Sequence, residues 1–110
     1  MAKFVVFFEY TAETWSKMIS TPNDRLAAVR EMARTVGGDV ETMYFMLGAN
    51  DGFVIIDAPD TASMAAVSIA VSSTGAVQSL QTHELIAPAD LASVLERAAT
   101  ARGSYRLPGT

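Results

Sequence analysis

At 110 residues the chain suits one domain and can bury roughly two thirds of its unfolded surface. Half of its residues are hydrophobic and only 18% are charged, which excludes a disordered chain. A net charge of -4, with the basic residues scattered, excludes the basic face that nucleic-acid binding requires, so no nucleic-acid partner is expected.

The absence of cysteine removes disulfides, thiolate metal sites and a thiol nucleophile. The apolar run in Met1–Glu9 is far too short to span a membrane and has neither the longer core nor the cleavage site of a signal peptide. No membrane partner and a cytoplasmic location are therefore expected.

Lys3 to Tyr10 reads as a strand, with Phe4, Val6, Phe8 and Tyr10 on one face and Val5 and Phe7 on the other. Between Thr11 and Ser20, the helical spacing of Trp15, Met18 and Ile19 predicts a short helical turn that caps the core. Thr21-Pro-Asn-Asp24 predicts a helix start, with Thr21 as cap and Pro22 at the first helical position. Leu26, Val29, Ala33 and Val36 then form an apolar stripe, with Arg25, Arg30 and Arg34 off it on a solvated face. Gly37-Gly38 ends this helix by offering a left-handed residue at no steric cost.

Glu41 to Leu47 and Phe53 to Ile56 read as two strands, joined by the turn Gly48-Ala49-Asn50-Asp51-Gly52. Met43, Phe45 and Leu47 face one way, Tyr44 and Met46 the other. Asp60 then caps a second helix, Thr61 to Thr74, whose small residues allow close packing and which Gly75 stops. Ala76 to Ile86 is a more polar fourth strand, with Ser79, Gln81 and His83 on one face and Leu80, Thr82 and Glu84 on the other. Pro88 opens a third helix with Leu91, Val94, Leu95 and Ala98 as its buried stripe. Residues 1–100 are expected to form one domain and 101–110 a loose tail.

The order of these elements predicts an α+β fold, a ferredoxin-like βαββαβ arrangement with an appended C-terminal helix. In such a fold the helices cover one face of an antiparallel sheet. The other face should be polar, yet the first three strands are apolar on both sides. A self-complementary two-fold dimer would bury that second face, so the expected partner is a second copy, in a homodimer or higher even oligomer.

Lys3-Phe-Val-Val, Thr11, Thr21-Pro with Arg25, Gly37-Gly38, Leu47-Gly48 with Asp51, and Ala58-Pro59-Asp60 together resemble the GYD-domain family. The resemblance covers roughly residues 1 to 97. Of the Gly-x-Tyr-Asp motif, Gly48 and Asp51 match, while Asn50 stands in place of the tyrosine. The family is similar to dimeric α+β barrels, which implies a sheet-to-sheet dimer but no particular reaction.

His83 is the one histidine and could share a polar pocket with Ser79 and Gln81. A plain strand residue is the simpler reading of it. Tyr10 and Tyr44 could place hydroxyls in a barrel cavity, although buried tyrosines usually find some partner. Asp51 would either fix the hairpin turn through backbone N–H groups or orient a ligand at a cleft mouth. No metal site is expected, because no His/Asp/Glu cluster has ligand spacing, and no cofactor is expected. A Ser79-His83-Asp57 triad lacks any nucleophile elbow or oxyanion loop and is rejected.

Three function classes follow. The first is a small-molecule-binding or regulatory module whose candidate ligand residues are Tyr10, Tyr44, Ser79, Gln81, His83 and Asp51, with a small organic ligand as partner. The second is a cofactor-free oxygenase or isomerase that uses His83 as acid and base. The third is a structural or assembly subunit.

Overall fold

The computed structural model describes residues 1–110, and its centre is the strand β1 (Ala2–Tyr10). The other strands are β2 (Asp39–Phe45), β3 (Gly52–Ala58) and β4 (Val77–Glu84), in a sheet ordered β2-β3-β1-β4. All three pairings are antiparallel, with Val5 opposite Ile55 on one side and His83 on the other. Two faces result. Phe4, Val6, Phe8, Val54 and Ile56 are buried on one, whereas Val5, Phe7, Phe53 and Ile55 are half-buried on the other.

The helices are α1 (Ala12–Ser20), α2 (Arg25–Thr35), α3 (Thr61–Ser73) and α4 (Leu91–Ser104). Ala33 of α2 and Met64 and Val67 of α3 close the core over the first face. This is the predicted α+β fold with its appended helix. Gly52 must be glycine, because a Cβ there would come within 2.5 Å of the Phe8 ring and 2.6 Å of the Tyr44 carbonyl. Gly37 sits at φ +82°, the left-handed residue expected after α2.

Four local expectations need correction. The stretch after Thr11 is a nine-residue helix, not a single turn, because Thr11 caps it by accepting from the Thr14 N–H. Helix α2 is capped by Asp24, which accepts from the Ala27 N–H at 3.0 Å. Thr21 instead ends α1, with its N–H bonded to the Lys17 carbonyl, so Pro22 lies outside both helices. Arg30 and Arg34 do lie off the stripe, at 3.5 and 3.8 Å from Asp39, but Leu26 is exposed and Met32 packs on the core instead. Finally, the helix after Pro88 buries nothing: a 3-10 turn, Pro88–Asp90, precedes α4, and Leu91, Val94 and Leu95 are exposed.

The detached α4 dominates the outline of the chain. Its radius of gyration is 17.7 Å, where a compact domain of this length has about 13 Å. The helix also continues to Ser104, into the segment expected to be a loose tail.

Asp60 caps α3 as expected, accepting from the Ser63 N–H at 2.8 Å. The hydrogen bonds from Ser63 hold its carboxyl below the ordinary value of 3.8. A depressed carboxyl stabilises the fold above its unfolded pKa and loses that contribution as pH falls through the folded value. Asp60→Ala should therefore lower the thermal midpoint modestly at neutral pH. The gap from the unmodified chain should be full above pH 3.8 and close as pH falls through the lower folded value, and a gap undiminished in strong acid would contradict the cap as its source.

Candidate functional site

Between the sheet and helices α2 and α3 lies a cavity of about 320 Å³. Val6, Phe8, Val54 and Ile56 form its floor, Val29 and Met32 one wall, and Met64, Val67 and Val71 the other. Sixteen of its 19 lining residues are hydrophobic, so it suits an apolar body rather than a sugar or nucleotide. The β-strand alternation that buries Phe4, Val6 and Phe8 aims these side chains here. A bulge between Glu9 and Tyr10 turns Val77 inward as well, against the simple alternation of β4.

At one end the cavity meets a polar groove under α1, lined by Glu13, Ser16, Lys17, Thr21 and Asn23. Tyr10, Arg25, Thr74 and Ala76 line both spaces and mark the boundary between them. Arg25 is half-buried as the first residue of α2, a position set by the Asp24 cap. It belongs to none of the ion pairs of the chain. Across the groove, Lys17 and Glu13 neutralise each other at 3.2 Å. The boundary is thus an apolar chamber with one uncompensated cation at its mouth.

Asp51 holds the groove's roof in place. Its Oδ2 accepts from the Tyr10 backbone N–H at 2.8 Å and from Trp15 Nε1 at 3.1 Å. The expected backbone bond exists, but it reaches the end of β1 and not the turn itself. The indole bond ties α1 to the sheet beside an aromatic cluster, with Trp15 5.2 Å from Tyr10 and 6.2 Å from Phe45 between ring centroids.

The GYD domain is the family description that matches, over residues 4–95. The chain belongs to the GYD-domain family. Among solved structures it is similar to MtbAldR, at 17% identity and a TM-score of 0.58, covering 78% of this chain and 52% of that one. The chain thus spans about half the length of MtbAldR. A hypothetical protein from Pyrococcus horikoshii is similar at 13% identity and a TM-score of 0.51, covering 82% of this chain and 95% of that one. At these identities the likeness shows a shared fold. No curated protein sequence matches the chain.

Within this GYD domain the candidate ligand residues fall on two sides of the sheet. Tyr10 lines the cavity, and Asp51 braces its neighbourhood. Tyr44 is exposed on the opposite face, beside Phe53 at the β2 edge. Ser79, Gln81 and His83 share that face on β4, opposite Glu9, Phe7 and Val5. Since β2 and β4 are the two sheet edges, about 14 Å separates Tyr44 from this row at the usual strand spacing. His83 is exposed, with its ring edge-on to Phe7 at 6.2 Å, and lines neither recess.

Sequence reasoning missed Arg25, which was assigned with Arg30 and Arg34 to a solvated face. The signal was the spacing: Arg25 is in helical step with Ala28, Val29 and Met32, which line the cavity, so the stripe that faces it runs through Arg25 and not Leu26. No group of three or more His, Asp or Glu residues is arranged to hold a metal ion, and no helix is long and apolar enough to cross a membrane.

Proposed function

We propose that this GYD domain is a small-molecule-binding module that acts as a pair of identical chains. The cavity between sheet and helices carries the reading. A partly open recess of about 320 Å³ with an almost wholly apolar lining falls in the size range of small-ligand sites, which supports reading it as a binding feature. Ligand exchange would proceed through the groove under α1, where the lining turns polar.

A small neutral apolar fluorophore, 1-naphthylamine, tests this. It should bind saturably with enhanced emission. Ala28→Phe projects a ring into the cavity from α2 while removing no existing contact of size, and it should weaken binding about tenfold or more. Absence of saturable binding, or unchanged binding in a folded Ala28→Phe variant, contradicts the reading.

Self-assembly is supported by what one copy leaves uncovered. Val5, Phe7, Phe53 and Ile55 line the open sheet face, and the stripe of α4 has no partner within the chain. On that face Lys3 bonds to Asp57 at 2.8 Å and to Glu41 at 3.1 Å. Those bonds, Asp57 first, raise its pKa above 10.5, so the pair stays intact at all neutral pH values. The cofactor-free enzyme reading ranks behind, because an acid–base histidine needs enclosure and His83 is exposed in the single chain. The assembly-subunit reading leaves the cavity without a purpose.

A further inference from the structure

We infer that the cavity takes an apolar molecule bearing a single carboxylate, with its carbon body between sheet and helices and its charge on Arg25. This rests on the cavity's being a ligand site and adds the chemical class of the ligand.

Charge pairing across the body of the domain singles out Arg25. Residues 1–86 contain five basic side chains: Lys3, Lys17, Arg25, Arg30 and Arg34. Lys3 pairs with Asp57 and Glu41, Lys17 with Glu13, and both Arg30 and Arg34 with Asp39. Arg25 alone has no carboxylate, although acidic residues outnumber basic ones twelve to eight in the chain. The nearest acid in sequence, Asp24, is committed to the Ala27 N–H at 3.0 Å. The acid across the groove, Glu13, is committed to Lys17 at 3.2 Å. Arg25 is half-buried and lines both the apolar cavity and the polar groove, and its guanidinium offers a planar fork of donors that matches a carboxylate with two parallel bonds.

The size and charge count narrow the ligand further. At about 30 Å³ for each water-sized group, about 320 Å³ holds on the order of ten heavy atoms. One free cation balances one negative charge. A phosphate dianion would remain undercompensated, and a neutral hydrocarbon would leave the guanidinium unanswered. Ser16, Thr21 and Thr74 can add hydroxyl contacts to the headgroup on the groove side.

Octanoate and 1-octanol share a carbon body of this size and differ in charge, so they separate the two parts of the idea. Each is titrated, below its aggregation concentration, against bound 1-naphthylamine on the full chain. Octanoate is expected to displace the probe about tenfold more tightly than octanol, with the advantage shrinking as salt is added. Arg25→Gln should erase that advantage, read as the ratio of octanoate to octanol displacement on the same variant, and Arg25→Lys should restore part of it. If the probe binds but octanoate shows no advantage, or the advantage survives Arg25→Gln, the carboxylate assignment fails and the cavity reading stands. If neither probe nor octanoate binds, both fail.

Discussion

Val5→Lys is expected to leave the domain folded but to convert a dimer into monomers. Val5 lies in the middle of β1 on the open face of the sheet, half-buried, with Ile55 and His83 as its cross-strand neighbours. In a single chain a lysine there can extend into water, so folding tolerates it. In a two-fold interface each substitution appears twice, and each ammonium loses its water without gaining a carboxylate. At about 2 kcal/mol or more for each copy, the dissociation constant should rise on the order of a thousandfold. Val6→Lys provides the contrast: Val6 is only 5% exposed, on the helix-covered face, so a charge there should prevent folding. Ala66→Lys, on the exposed side of α3, should change neither. Light scattering at micromolar concentration reads all of these, and a monomeric unmodified chain would end the proposal.

The sheet was legible in the sequence because two-residue alternation is a local signal, and β1 shows it without interruption from Phe4 to Tyr10. The Asp60 cap was legible for the same reason, since the residue and the N–H it serves are three positions apart. What stayed hidden depends on contacts between distant segments. Thr21 and Asp24 both look like caps, and only the packing of α1 against the sheet decides that the second starts α2. The stripe of α4 looks like any buried helix face; a sequence pattern reports that a face wants cover, not which chain supplies it. In the recess, the inward placing of Tyr10 was legible because strand parity is local. Tyr44 and the Ser79–His83 row are polar groups on strands too, but the pairing register puts them on the opposite face from Tyr10, and the order β2-β3-β1-β4 puts them on opposite edges from one another. Strand order is a long-range property, and no local pattern contains it.

Asp51→Ala should cost about 2–4 kcal/mol, well above the 1 kcal/mol of a simple turn residue. The carboxylate accepts from a main-chain N–H on β1 and from the Trp15 indole, groups 41 and 36 residues away in the chain. Hydrogen bonds to a charged acceptor contribute about 1.5–3 kcal/mol each, and removal of the acceptor leaves the N–H of buried Tyr10 and the indole of half-buried Trp15 without it. Asp51→Asn retains one carbonyl oxygen and should recover about half the loss. Urea unfolding measures the cost. Because the chain has a single tryptophan, its emission separately reports whether α1 stays docked. A red shift of native-state emission in Asp51→Ala, accompanied by weaker binding of 1-naphthylamine, would show that the brace also shapes the cavity mouth, where Tyr10 sits. A loss of 1 kcal/mol or less with unchanged Trp15 emission would show that the aromatic packing of Trp15 on Tyr10 and Phe45 holds α1 by itself, and that Asp51 is no more than a turn residue.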